Sequence, residues 1–138
     1  MAKSRRRRVW ERACGCCEYC RLPQSCTNLP HELDHIRAAK HHGHTTLGNL
    51  CLACAACNTY KSCNAAGFDP HSGALVRLFN PRKDRWTDHF QWQGPRLLGK
   101  TAEGRATIDV LKINANERVV HRRILMALGL FTAGEEQQ

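Results

Sequence analysis

Hydrophobic positions in this chain come in short, separated groups, and the spacing within each group predicts a small element. Residues 5–13 read as a short helix with Val9 turned inward and Gly15 closing it. Residues 69–73, "DPHSG", signal a turn, and "ALVRLF" after it sets Val76 and Leu78 on one face, the pattern of a strand. A second proline turn at Asn80-Pro81 leads into "WTDHFQWQG", where Trp86, Phe90 and Trp92 follow no single period. A short helix is expected from about residue 103 to 111. Another runs from a cap at Asn116 to Leu128 and closes at Gly129, with Val120, Ile124, Ala127 and Leu128 along one stripe. Between Cys17 and Lys61 the pattern lapses. Cys, His, Asn and Gly dominate there, so metal rather than a large core is expected to organise the segment.

Composition narrows the class. At 138 residues the chain suits one domain with a modest core, or a small domain with an appendage. The net charge of +9 favours a polyanionic partner, because clustered Lys and Arg release counterions on a phosphate backbone. The basic residues do cluster: Lys3, Arg5, Arg6, Arg7, Arg8 and Arg12 early, then Arg77, Arg82, Lys83 and Arg85. Trp86, beside the second group, is expected in the core rather than stacked on a base. The basic start runs into "VWERACGCC", which lacks the apolar run of a signal peptide, and no stretch has the length of a membrane span. An odd number of cysteines, nine, then argues for thiols and metal in a reducing cytoplasm rather than for disulfides.

The cysteines carry the first chemistry. "CEYC" (Cys17, Cys20) and "CAAC" (Cys54, Cys57) can converge as two knuckles on one tetrahedral zinc, closing a loop that a small core would not hold. Cys14/Cys17 and Cys51/Cys54 share the same spacing. The ligand set is assigned as Cys17, Cys20, Cys54 and Cys57, leaving Cys14, Cys16, Cys51 and Cys63 as buried or half-exposed thiols.

Within "HELDHIRAAK" an acid, Asp34, directly precedes a histidine, His35. On a strand, neighbouring side chains point to opposite faces, so the two need not pair and can serve different partners. Asn49 follows, then Asn58 immediately past Cys57, then Lys61. One His beside a carboxylate is usually structural and one Asn usually marks a turn; their joint placement between and against two knuckles is harder to dismiss.

The run "CEYCRLPQ … HELDHIRAAKHHGHTTLGNLCLACAACNTYKS" resembles the HNH endonucleases of the zinc-knuckle type. The matching motif covers Cys17 to Lys61, with Glu32, Asp34 and His35 on one strand, the "GHTTLGN" connection, and the Cys-Asn-x-x-Lys helix start. The resemblance implies an α+β fold: a ββα-metal (HNH, His-Me finger) core stapled by a four-cysteine zinc site, with an N-terminal helix and a C-terminal strand and helix extension. Residues 1–66 would form the nuclease core, and 67–138 an extension packing on it.

The same resemblance implies metal-dependent hydrolysis of DNA phosphodiesters. His35 would be the general base, Asp34 and Asn58 would hold a catalytic Mg²⁺ or Mn²⁺, Asn49 would fix the loop so that His35 keeps its orientation, and Lys61 would contact a phosphate. Structural Zn²⁺ would sit on the four cysteines, and Arg5, Arg6, Arg7 and Arg8 would add contacts to the DNA backbone. The catalytic set is thus His35, Asn49 and Asn58, with Glu32 as an outer support of the metal. Asn58 stands where the family name has its last histidine, and Ala38 where many members have proline. One such site attacks one strand, which suits a monomer or a weak homodimer. The alternatives are a non-catalytic zinc-ribbon module that binds DNA, and a redox-sensing thiol protein.

Overall fold

The protein is described by a computed structural model over residues 3–132. Its chain forms two compact units, the first running through Ala65 and taking in Asn80–Arg82, the second comprising Ala66–Phe79 and the chain from Lys83 onward.

The first unit opens with helix α1 (Arg5–Arg12). Consecutive arginines at a helix N-terminus oppose the macrodipole. The helix forms nonetheless because Ser4 caps it, its hydroxyl accepting from the Arg7 amide at 3.1 Å, and because Glu11 draws in Lys3 and Arg7. Val9 anchors the helix against Leu50 and Leu52. The chain then turns through Gly15, whose φ of +69° and tight approach to the Trp10 ring both favour glycine.

Strand β1 (Glu32–His35) pairs antiparallel with β2 (Leu50–Ala53), Asp34 opposite Cys51 and His35 opposite Leu50. Helix α2 (Ala55–Lys61) follows at once, so the order is β, β, α. β2 is buried along its whole length. Glu18 accepts its Leu52 amide at 2.8 Å and is ion-paired with Arg82.

In the second unit, β3 (Ala66–Phe68) and β4 (Leu75–Arg77) form a hairpin around the expected turn. There the buried Asp69 carboxylate accepts from His71 and Ser72 and binds Arg105 through two bonds of 2.9 Å. The strand is shorter than "ALVRLF" suggested. Helix α3 (Trp86–His89) leads into a second hairpin of β5 (Phe90–Gln93) and β6 (Arg96–Gly99), followed by α4 (Ala102–Val110) and α5 (Asn116–Ala127). Trp86, Phe90 and Trp92 are all buried. They lacked a single period because a helical turn separates the first two and one strand repeat the last two.

Two expectations are corrected. Asn116 is not the cap of α5, since Ala115 precedes the helix without a side-chain bond. The stripe Val120, Ile124, Ala127 and Leu128 faces outward, Ile124 being 53% and Leu128 67% exposed, and the buried face is Val119, Arg122 and Leu125. Arg122 hides that face from a hydropathy pattern. Its guanidinium donates to Pro95 and Ile113 carbonyls at 2.7 and 2.9 Å and lies 5.3 Å from the Trp92 ring centre, which satisfies the buried charge.

Candidate functional site

The four assigned thiols converge. One ligand atom from each of Cys17, Cys20, Cys54 and Cys57 lies within 4.8 Å of the others, and all four residues are buried. Cys20 and Cys54 sulfurs are 3.7 Å apart. Four thiolates about 2.3 Å from one zinc would be spaced by about 3.8 Å, so the cluster has the dimensions of a closed four-thiolate site. Each knuckle turns its backbone toward the leading sulfur: the Cys20 amide donates to Cys17 and the Cys57 amide to Cys54, both at 3.4 Å. Cys54 also caps α2, so the second knuckle and the helix start are one structure. Burial pushes the Cys17 and Cys57 thiols well above their ordinary range, and a hydrogen bond from Cys17 holds Cys54 below it. A cation would be what deprotonates the set. The competing pairings fall away, because Cys14 is exposed and Cys51 belongs to a different cluster.

That second cluster surrounds Asp34. The carboxylate is 4% exposed and receives the Tyr19 hydroxyl at 2.7 Å, the Cys51 thiol at 3.5 Å and the Lys61 ammonium at 3.2 Å. Lys61 is itself only 2% exposed and also donates to the His35 carbonyl at 3.0 Å. Burial drives the Tyr19 and Cys51 groups up, with the neighbouring negative charge adding to it, so both stay protonated as donors.

His35, the next residue, has its own partner. Its Nε2 lies 2.9 Å from Thr45 Oγ1, and the residue is half-buried. Asn49 ties down the intervening loop: its amide nitrogen donates to the Arg37 and His44 carbonyls at 2.9 and 2.8 Å, and its oxygen accepts from the Arg37 amide at 2.9 Å. Gly43 is required in that loop, because a Cβ there would sit 1.7 Å from the Arg37 carbonyl oxygen. Asn58 is half-buried on α2, three residues before Lys61 and so on the same helix face. Glu32 is exposed and outside the groups bonded to Asp34.

The structure brings Asp34, His35 and Lys61 together but does not present Lys61 as a surface cation for phosphate; its charge is committed to Asp34. The basic groups are likewise divided. Arg5, Arg6, Arg7 and Arg8 are exposed along α1, yet Arg6 donates to the His31 carbonyl and Arg7 pairs with Glu11. Arg77 forms a forked pair with Asp84, and Arg82 is taken by Glu18. Tyr19, Thr45 and Cys51 were missed. The one available signal was pattern: Tyr19 lies inside a knuckle, and Cys51 follows from pairing the two strands in register.

The first unit thus holds a ββα arrangement beside a thiol cluster, with an acid and a histidine parting on its first strand. Residues 17–63 match the family model for HNH endonuclease, which identifies an HNH domain in this chain. Among curated proteins, "Septu protein PtuB" of Bacillus thuringiensis is similar, 28% identical over 115 residues. That match covers 82% of this chain and 41% of the relative, so the chain spans less than half of that protein's length. No solved structure matches the chain significantly. Among the described residues, no helix is long and apolar enough to cross a membrane.

Proposed function

We propose that this protein hydrolyses DNA phosphodiesters at the Asp34–His35 site and leaves 5′-phosphate and 3′-hydroxyl ends. The observation that carries the reading is the division of labour on β1: Asp34 faces a cation, while His35 faces a loop pinned by Asn49. His35 acts as general base. With Thr45 accepting the Nε2 proton, Nδ1 keeps a lone pair free to take a proton from the attacking water. Asn49 acts by position, holding the backbone on both sides of the loop that carries Thr45.

The donor set suits a hard divalent cation. Asp34 supplies a hard carboxylate oxygen whose charge Lys61 balances, and Asn58 would supply a second oxygen from the helix face that carries Lys61. Asp34 and Asn58 would hold Mg²⁺ or Mn²⁺, which supplies charge stabilisation for the phosphorane and the leaving 3′ oxygen. Zn²⁺ on Cys17, Cys20, Cys54 and Cys57 would be structural, because four thiolates leave no open position for water.

The test is plasmid nicking with Mg²⁺ for the wild type and His35→Ala. The variant should lose at least about a hundredfold in rate, the lower range of general-base contributions, while zinc content and DNA affinity stay unchanged. Wild-type turnover in His35→Ala would sink the mechanism. An inactive wild type that still binds DNA would favour the other reading, a non-catalytic zinc-ribbon module, for which the burial of Asp34 speaks.

A further inference from the structure

We propose that Lys61 is a resident cation of the Asp34 site, holding the carboxylate in place before a divalent ion arrives and setting how tightly that ion binds. The proposal rests on the reading of Asp34 as a metal ligand.

The argument starts from burial. An ionised carboxylate at 4% exposure is costly unless paired, and Tyr19 and Cys51 offer it only neutral donors. Lys61 supplies the charge. Its ammonium reaches both the carboxylate and the His35 carbonyl, so it ties the acid to the backbone of the histidine beside it. The position suits a cation for a second reason: Lys61 ends α2, where the helix carbonyls point, and the chain leaves the helix at Ser62 with φ of +50°.

Three consequences follow. The site is preformed without a divalent ion, because the pair is already neutral. A divalent ion at Asp34 meets the repulsion of an ammonium a few ångströms away, so Lys61 weakens its binding. Removing the lysine charge leaves a buried carboxylate that must take up either a proton or another cation, so an added divalent ion should stabilise such a variant more than it stabilises the wild type.

The experiment compares zinc-loaded wild type, Lys61→Met, Lys61→Gln and Asp34→Asn. Mn²⁺ binding is read by electron paramagnetic resonance, thermal midpoints are taken with and without Mn²⁺, and zinc content is checked throughout. Lys61→Met keeps the stem of the side chain, and Lys61→Gln keeps a neutral donor. Both should bind Mn²⁺ at least about tenfold more tightly than wild type, as expected from losing a unit charge beside a divalent ion. Their midpoints should fall without Mn²⁺ and recover with it, while the wild-type midpoint barely responds. If neither variant folds without Mn²⁺, folding restored by Mn²⁺ supports the proposal and no restoration overturns it. Unchanged or weaker Mn²⁺ binding in both, with binding lost in Asp34→Asn, overturns the role of Lys61 and leaves Asp34 as a ligand. Wild-type binding in Asp34→Asn instead removes Asp34 as a ligand, and the proposal with it.

Discussion

At Asp34 and His35 one step of backbone separates a buried acid from a half-buried histidine, and strand alternation does the sorting. That much was legible, since it needs only a strand and two residue types. Asn49 bonds three backbone groups of the connection between the strands, a placement that the resemblance implied and that the residue type alone did not. The fate of Lys61 was not legible. A lysine at the end of a short helix reads as a solvated charge, and only the packing of α2 on β1 turns it inward. The cysteines divide on the same ground, since spacing alone admitted four C-x-x-C pairs and convergence in space chose two. Cys57→Ser should therefore remove a buried ligand and, with it, the folding free energy that zinc supplies. Cys63→Ser changes a half-exposed thiol outside the cluster and should cost less than about 0.5 kcal/mol. Elemental analysis with thermal denaturation checks both: zinc near one per chain in Cys63→Ser and lost in Cys57→Ser is expected. Full zinc in a stable Cys57→Ser would refute the site.

For elements, the strongly periodic stretches announced their type and misled about orientation. Helix α5 has apolar residues on two sides, and its buried side is interrupted by Arg122, so hydropathy chose the wrong stripe. The error has a measurable counterpart. Leu125 is 6% exposed and Ile124 53%. Leu125→Ala should cost about 2–3 kcal/mol through lost burial and the cavity left behind, whereas Ile124→Ala should stay within about 0.5 kcal/mol. Urea denaturation of the two variants decides between the faces; equal losses would mean that Ile124 is covered in solution. Short elements failed differently: α3 is a single turn, and Trp86, Phe90 and Trp92 pass from helix to strand before either period can repeat. The Asp69 turn was legible, but its clamp was not, because the Arg105 that holds its carboxyl well below the usual range comes from α4.

For the molecule as a whole, the net charge of +9 overstates what is available to a nucleic acid. Arg12 donates to the Leu47 and Leu50 carbonyls, and Arg77, Arg82 and Arg105 are matched to Asp84, Glu18 and Asp69. These arginines hold the fold together, whereas Arg5 and Arg8 project from the exposed side of α1. Each phosphate neutralised contributes about 0.9 to the slope of log affinity against log salt, so the slope counts the cations that touch DNA. Substitution is the right probe, because deleting the N-terminal residues would also strip the helix that seats Val9 on Leu50 and Leu52. Arg5→Gln with Arg8→Gln should flatten the slope by up to about two, measured by fluorescence anisotropy on a short duplex across a salt series. Arg77→Gln should leave the slope unchanged, since its charge is matched by Asp84. A slope that ignores Arg5 and Arg8 but falls with Arg77→Gln would place the DNA-binding face on the second unit and make α1 purely structural.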